Sequence, residues 1–248
     1  MNSTINNSKQ IWILIRGLTR GTFHWFDFPN QLKQAFPNDL VITLEVPGNG
    51  ALSHIAFPDS LKSCVEKLKS QLPPSTLKYN LIGISLGGMI VSQWSKMYPD
   101  EVDKLVLINS SFSISPFYHR LKIHNYGQII KIMVNPTAEK IERFVLSTTC
   151  NNPIWKNRLS ECIEFQKNHP IQIKNLIRQL LIANRAQFNS KPNSKCLILA
   201  GQKDRLVNYK CSLDIAAKWG LSAQIHPTAG HDLPLDAPEW IIEQIKNI

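Results

Sequence analysis

The sequence predicts an α/β protein with a mostly parallel central sheet flanked by helices. Through the first 110 residues, short apolar runs typical of buried strands alternate with segments of helical period. Strands separated by helices pair in parallel, and the helices then cover both faces of the sheet. The alternation stops near residue 112 and resumes near residue 193, which predicts a helical insertion inside the sheet domain.

Apolar runs that end at turn residues predict the strands. The first run, IWILI, is followed by Gly17, and the second ends at Pro47 and Gly48. In chain order the predicted strands are Ile11–Ile15, Leu40–Val46, Tyr79–Ile84, Leu105–Ile108, Cys196–Ala200 and Ala223–His226.

Apolar residues spaced three and four apart predict the helices. The last helix is expected to open with a capping box, with Asp236 as the N-cap and Glu239 at the third helical position. The clearest pattern covers residues 171–188, with an apolar stripe of Ile173, Leu176, Ile177, Leu180 and Leu181. The other predicted helices are Ser60–Leu72, Met89–Met97 and Tyr209–Trp219.

A chain of 248 residues is long for one domain, but α/β folds of this length occur as single units. We predict a core domain formed by residues 1–111 and 193–248. Residues 112–192 are predicted to form a helical cap inserted after the strand near 105–109. Hydrophobic residues make up 43% of the chain and charged residues 19%, which excludes an intrinsically disordered protein.

The sequence also predicts the cellular compartment and the need for a metal or cofactor. No apolar run is long enough to span a membrane, and the first ten residues lack the apolar stretch of a secretory signal, so neither is expected. The five cysteines are scattered without a CxxC pair, which argues against a disulfide framework or a zinc site. We therefore predict a cytoplasmic protein with no metal and no cofactor.

The formal net charge is +10, and most of it lies in the insertion. Residues 112–192 contain twelve Lys and Arg residues and four Glu residues, a net charge of +8. This excess predicts an acidic partner, although a solvated lysine-rich face is an alternative. No recognisable nucleic-acid-binding module accompanies the charge, so nucleic acid is not an expected partner.

The segment from Gly83 to Gly87 fits the pattern G-x-S-x-G and places Ser85 between a predicted strand and a predicted helix. A nucleophilic serine at such a turn needs small flanking residues, because the backbone at the serine is strained and its hydroxyl projects from the sheet edge. The pattern alone is weak, and a glycine-rich turn with an incidental serine also fits it. The strand and helix around it favour the nucleophile.

A serine hydroxyl needs a base, and the base needs a carboxylate to orient it. His231 follows the last predicted strand and Asp204 follows the strand before it, so both are expected at the carboxyl edge of the sheet with Ser85. Position 109, where another strand ends, carries Asn109, which favours Asp204 as the acid. Asp232 is expected to be a solvated loop residue. The remaining histidines have ordinary surface or hydrogen-bonding interpretations: His24, His54, His119, His124, His169 and His226.

Ester chemistry on a serine also needs two N–H donors for the oxyanion. The backbone N–H of Leu86, directly after Ser85, is one candidate. The second is the N–H of Leu18, in the loop after the first strand, although an ordinary glycine turn at Gly17 is the alternative.

Five segments in this order, RGLTRGTFHW, VPGNG, GISLGGM, GQKDRLV and AGHDLPLDAPEW, resemble the small cap-bearing serine hydrolases of the α/β-hydrolase superfamily. The resemblance is strongest to carboxylesterases of the pimeloyl-acyl-carrier-protein methyl ester esterase type. It implies catalytic Ser85, Asp204 and His231 and oxyanion donors Leu18 and Leu86. The family usually has histidine immediately before the glycine that corresponds to Gly17. This chain has Arg16 there, and Arg16 is expected to support the loop that contains Leu18.

The resulting prediction is a serine carboxylesterase that acts on a small-molecule ester, with an acidic acyl carrier protein docking on the basic cap. Other chemistry on the same triad, as in a lyase or thioesterase, is an alternative, but Met89 replaces the arginine usual after SLGG in the menaquinone-pathway lyases. A ligand receptor that kept the fold without turnover is a further alternative.

Overall fold

A six-stranded sheet runs through the protein, and every pair of neighbouring strands is parallel. The computed structural model describes residues 10–248. The prediction that no secretory signal is present rests on the first ten residues, of which all but residue 10 lie outside the described range. The strand order is β2-β1-β3-β4-β5-β6. The strands are β1 (Ile11–Ile15), β2 (Leu40–Thr43), β3 (Tyr79–Ile84), β4 (Val102–Ile108), β5 (Lys195–Gly201) and β6 (Ala223–His226). The predicted α/β fold with a parallel sheet is confirmed.

The helices fall into two groups, those between β4 and β5 and those elsewhere in the described residues. None of the helices within residues 10–248 is both long and apolar enough to cross a bilayer. The helices that precede β4 or follow β5 are α1 (Phe28–Ala35), α2 (Leu61–Lys69), α3 (Leu86–Met97), α9 (Lys210–Trp219), α10 (Leu233–Asp236) and α11 (Pro238–Lys246). Between β4 and β5 lie α4 (Phe117–Arg120), α5 (Tyr126–Val134), α6 (Ala138–Thr149), α7 (Trp155–Asn168) and α8 (Ile173–Arg185).

Two apolar clusters form the core, one on each face of the sheet. Alternate residues of a strand point to opposite faces. In β1, for example, Ile13 belongs to the cluster beneath α2, α3 and α9, while Trp12 and Leu14 belong to the cluster beneath α1 and α11. Because both faces are covered, the strands are apolar throughout, which is why they read as continuous apolar runs in the sequence.

The apolar stripe of α8 faces solvent. An amphipathic helix ordinarily packs its apolar stripe against the core. In α8, however, the buried residues include Asn175 and Gln179. The exposed large apolar residues of this helix are Ile173, Ile177, Leu180 and Leu181.

The predicted capping box at Asp236 is wrong. Helix α11 begins at Pro238 with Ala237 as its N-cap, and no side chain caps it. The Asp236 carboxylate instead accepts hydrogen bonds from the backbone N–H of Gly230 at 2.6 Å and of Asn152 at 2.9 Å. It therefore joins the loop after β6 to the end of α6, a pairing of distant segments that local spacing cannot reveal.

Candidate active site

Ser85 lies at the turn from β3 into α3, as the G-x-S-x-G pattern predicts. Its backbone angles, φ 56° and ψ −120°, are unusual for a residue with a side chain and indicate a strained turn. The Ser85 N–H donates to the carbonyl of Ile108 at 2.9 Å, and the Ser110 hydroxyl donates to the Ser85 carbonyl at 2.9 Å. These bonds attach the turn to the end of β4.

The two glycines of the pattern have a steric explanation. A Cβ on Gly87 would collide with the carbonyl oxygen of Ile15, and a Cβ on Gly83 would collide with the carbonyl oxygen of Gly87. Helix α3 therefore begins in direct backbone contact with the end of β1. Only residues without a side chain permit this approach.

The structure brings Asp204 and His231 together. Asp204 Oδ2 lies 2.6 Å from His231 Nδ1, and the Asp204 carboxylate is only 1% exposed. The second oxygen, Oδ1, accepts from the N–H groups of Leu206 at 2.7 Å and Val207 at 2.9 Å. Because Nδ1 is engaged by the carboxylate, Nε2 is the ring nitrogen left for proton transfer.

Asn109 is a residue of this site that the sequence did not identify. Its side-chain Nδ2 donates to the carbonyl oxygens of His231 at 2.8 Å and Gly230 at 3.0 Å. It follows Ile108, to which Ser85 is hydrogen-bonded, so the serine turn and the histidine loop are fixed to adjacent residues of one strand end. Among the described residues, Ser85 Oγ makes no hydrogen bond to His231; such contacts are often long before substrate binds.

The loop after β1 lies directly against the serine. An ideal Cβ on Gly17 would be 2.9 Å from Ser85 Cβ and 3.5 Å from Ser85 Oγ. The peptide that joins Gly17 to Leu18 therefore lies beside the Ser85 side chain, as does the N–H end of α3, where Leu86 is the first residue. Both predicted oxyanion donors belong to backbone next to Ser85.

Arg16 makes a buried ion pair with Asp232. Arg16 Nη1 and Nη2 donate to the two carboxylate oxygens at 3.0 and 2.7 Å, and the guanidinium also lies over the Trp25 ring, 5.0 Å from its centroid. The prediction of Asp232 as a solvated loop residue is wrong, since Asp232 is 4% exposed. A pair of residues this far apart in the chain has no local signature.

The segment after α6 contacts the loops that carry Asp204 and His231. Arg205 donates to the Cys150 carbonyl at 2.8 Å, and the Asn151 side chain donates to the carbonyls of Lys203 at 3.2 Å and Thr228 at 2.9 Å. These bonds connect the segment after α6 to both sides of the Asp204–His231 pair.

Three ligand-type side chains converge beside the loop after β1, although their spacing in sequence gives no metal motif. The ligand atoms of His24, Glu142 and Cys162 lie within 4.8 Å of one another, and all three residues are buried. Arg20 places its guanidinium here: Nη1 lies 2.8 and 2.7 Å from the Glu142 oxygens and 3.0 Å from His24 Nε2. Because a fixed cation already neutralises Glu142, the cluster is an ion pair rather than a metal centre.

Burial determines the ionisation of this cluster. Desolvation, together with the charges of Arg20 and Arg16, holds the pKa of His24 well below its ordinary value, so the ring stays neutral. Desolvation also raises the pKa of the Cys162 thiol to about 12, so the thiol stays protonated and unreactive.

Comparison with known proteins gives the same architecture. The family profile described as alpha/beta hydrolase fold matches residues 13–238. The chain belongs to the α/β-hydrolase family. A 2-hydroxy-6-oxononadienedioate/2-hydroxy-6-oxononatrienedioate hydrolase from Paraburkholderia phymatum is 24% identical over 234 residues, covering 88% of this chain and 78% of that relative.

Solved α/β-hydrolase structures resemble the fold over nearly its whole length. An esterase from Exiguobacterium antarcticum superposes with a TM-score of 0.77 at 15% identity, covering 97% of this chain and 92% of its own. A 2-hydroxy-6-oxo-6-phenylhexa-2,4-dienoate hydrolase from a Rhodococcus species superposes with a TM-score of 0.71 at 16% identity, covering 96% and 90%. At these identities the likeness is one of fold.

Proposed function

We propose that this α/β hydrolase is a serine carboxylesterase in which Ser85 is the nucleophile, His231 the general base and Asp204 its orienting acid. One observation carries the proposal: the 2.6 Å contact between Asp204 and His231, on a loop that Asn109 fixes beside the Ser85 turn. Leu18 and Leu86 supply the N–H donors for the oxyanion. Arg16 supports the loop that contains Leu18 through its pair with Asp232.

The steps follow from this geometry. Ser85 Oγ attacks the ester carbonyl while His231 Nε2 takes its proton, and the negative charge that develops on the carbonyl oxygen is stabilised by the two N–H groups. The proton then passes to the departing alcohol, leaving an acyl group on Ser85. Water attacks this acyl-enzyme with His231 again as base, which releases the acid and restores the serine.

Within this reaction class, the sequence resemblance favours a small carboxylesterase of the pimeloyl-acyl-carrier-protein methyl ester esterase type. The charge of residues 112–192, a net +8, supports an acyl group that is carboxylated or attached to an acidic carrier protein. The Arg205 and Asn151 contacts support placement of this helical cap over the catalytic loops.

Hydrolysis of a carbon–carbon bond is the second candidate. The relative from P. phymatum is named as a hydrolase of a 2-hydroxy-6-oxo dioate, and the Rhodococcus protein as a hydrolase of a 2-hydroxy-6-oxo dienoate. Both names describe carboxylated substrates, which would also suit the positive insertion. A serine, a histidine and an oxyanion site can form the same tetrahedral adduct with a ketone carbonyl as with an ester. The carbon–carbon bond can then break because the departing carbon leaves as an enolate, once the 2-hydroxy group of such a substrate has tautomerised to a 2-oxo group.

A substrate panel tests both candidates. It contains p-nitrophenyl esters of increasing acyl length, methyl half-esters of dicarboxylic acids and a 2-hydroxy-6-oxo-dienoate, each assayed with wild type and with Ser85→Ala. Serine-dependent turnover of esters supports the first proposal. Turnover of the dienoate alone would replace it with the second, and no turnover of any member would contradict both candidates.

A further inference from the structure

The inward face of α8 is polar at two positions one helical turn apart. Asn175 is 3% exposed and Gln179 is fully buried. A buried amide destabilises the protein unless its donor and acceptor atoms are hydrogen-bonded. Both amides are satisfied, but by different parts of the chain, and this difference separates their roles.

Gln179 binds the loop after β1. Its Oε1 accepts from the backbone N–H of Thr19 at 3.0 Å, and its Nε2 donates to Asn49 Oδ1 at 2.7 Å. Asn49 in turn donates from Nδ2 to the carbonyl oxygens of Gly17 and Arg20, each at 3.2 Å. Gln179 and Asn49 thus form a continuous chain of hydrogen bonds from the insertion to this loop.

These bonds fix the two peptide planes on either side of Leu18. The Gly17 carbonyl and the Leu18 N–H belong to one planar trans peptide and point in opposite directions, so holding the carbonyl also sets the direction of the N–H. The Thr19 N–H belongs to the next peptide, which Gln179 holds. Thr19 has φ 59°, a left-handed conformation that is rare for a β-branched residue and requires support from its surroundings.

We propose that Gln179 is a positioning residue that, through Thr19 and Asn49, aims the Leu18 N–H at the oxyanion. The inference rests on the proposed function, because it assigns Leu18 as an oxyanion donor. It adds that turnover depends on a helix of the insertion that contributes no reacting atom. Through Gln179, α8 affects the rate of the chemical step as well as the stability of the fold.

Asn175 provides a matched control on the same helix face. Its Oδ1 accepts from the Phe57 N–H at 2.8 Å, and its Nδ2 donates to the carbonyls of Ser53 at 3.0 Å and Ile55 at 2.9 Å. None of these bonds reaches residues 17–20. A variant at Asn175 therefore loosens α8 without releasing the loop beside Ser85.

The first test compares Gln179→Met with Asn175→Leu, using kcat and KM for a neutral p-nitrophenyl ester and the thermal midpoint of each protein. Loss of one oxyanion donor lowers kcat by roughly 10²–10³-fold, so partial misalignment in Gln179→Met is expected to lower kcat by about 10- to 100-fold with KM little changed. Asn175→Leu is expected to lower the midpoint comparably while kcat stays within about threefold. Equal effects of the two variants on kcat would overturn the inference.

A second pair keeps the test decisive if Gln179→Met does not fold. Gln179→Glu retains an oxygen that accepts from Thr19, and its carboxyl, when protonated, also reproduces the donor to Asn49. The kcat of Gln179→Glu, expressed relative to wild type at the same pH, is expected to exceed that of Gln179→Met and to rise as the pH is lowered. If Gln179→Met is not recovered, Asn49→Ala, which breaks the same chain of hydrogen bonds, takes its place in the comparison. Asn175→Asp is the control and is expected to show no such rise. A Gln179→Glu enzyme no better than the comparison variant at every pH would contradict the inference.

Ser85→Ala in the same assay distinguishes failure of the proposed serine mechanism from failure of the role proposed for Gln179. If Ser85→Ala retains turnover, the proposed serine mechanism fails. If Ser85→Ala is inactive while Gln179→Met turns over like wild type, the mechanism stands and only the role of Gln179 fails.

Discussion

Arg16 and Asp232 are 216 residues apart in the chain and form a bidentate ion pair with N–O distances of 3.0 and 2.7 Å. Arg16 directly precedes the loop that contains Leu18, and Asp232 directly follows His231. The pair therefore connects the loop proposed for oxyanion binding with the loop that carries His231. Both residues are buried, so the pair is shielded from the solvent that weakens surface ion pairs.

Arg16→Ala is expected to lower both stability and turnover. Removing one partner of a buried pair leaves an uncompensated charge, which typically costs about 3–5 kcal/mol of the free energy of unfolding. If the loop shifts one oxyanion donor, kcat should fall on the order of 10²-fold or less. Urea unfolding and steady-state kinetics measure the two effects. The double variant Arg16→Ala/Asp232→Ala should be less destabilised than the sum of the single variants, and an unchanged kcat in Arg16→Ala would show that the pair is only structural.

Asp204→Asn is expected to lose less activity than Ser85→Ala. The histidine remains after the Asp204 change but loses the carboxylate that fixes its tautomer, a loss of about 10⁴-fold in kcat in other triads, against about 10⁶-fold for loss of the serine. The control is Asp100→Asn, an exposed carboxylate near the amino end of β4, opposite the site. A decrease in kcat for Asp204→Asn no larger than for Asp100→Asn would remove Asp204 from the mechanism.

Stability should decrease at acid pH because of His24. Its pKa in the folded protein lies well below the unfolded value, so below about pH 6.5 the unfolded chain binds a proton that the folded chain does not. Stability from this group is present above that pH and is lost as the pH falls, by up to about 1.4 kcal/mol per pH unit. Urea unfolding between pH 7.5 and 5.5 should show a smaller slope in His24→Asn. His54→Asn, at an exposed histidine, should keep the wild-type slope; equal slopes in both variants would contradict the prediction.

A chelator is expected to leave activity unchanged. The proposed mechanism needs no metal ion, and Arg20 already neutralises Glu142 in the cluster of potential ligands. The measurement is kcat/KM after dialysis against EDTA, with and without added Zn²⁺ or Mn²⁺. Loss of activity in EDTA that a divalent ion restores would contradict the serine mechanism.

Salt should affect carboxylated or carrier-bound substrates more than neutral ones. A field from the basic insertion would speed encounter with an anionic substrate, and added salt would screen it. Glutamine substitutions at exposed Lys131, Lys140 and Lys174 should reduce this salt dependence, whereas substitutions at Lys62, Lys67 and Lys210, exposed outside the insertion, should not. The comparison is kcat/KM for a carrier-bound ester and a small neutral ester at low and high salt. The same salt dependence for both substrates would argue against a carrier partner.

The strands and the turn at Ser85 could be predicted from the sequence because their signals are local. Apolar runs gave the strands because both faces of the sheet are buried, and the glycines around Ser85 identified a turn that only small residues permit. The position of Asp204 and His231 after successive strands anticipated that they would meet.

Features formed by distant segments could not be predicted in this way. Nothing near Asn109 or Asp236 in sequence indicates the loops that these side chains hold. Helix α8 had the correct period, but periodicity does not determine which face packs inward. Packing against two polar loops selected Asn175 and Gln179 rather than the apolar stripe.

Labelling with diethyl p-nitrophenyl phosphate tests directly whether Ser85 is the nucleophile. Ser85 Oγ is expected to attack phosphorus and release p-nitrophenolate, leaving one diethylphosphoryl group per chain and no esterase activity. Peptide mass spectrometry should place the added mass on Ser85, and Ser85→Ala should be neither labelled nor active. Retention of more than about a tenth of wild-type kcat by Ser85→Ala, or stoichiometric labelling elsewhere in the chain, would contradict the assignment of Ser85 as the nucleophile.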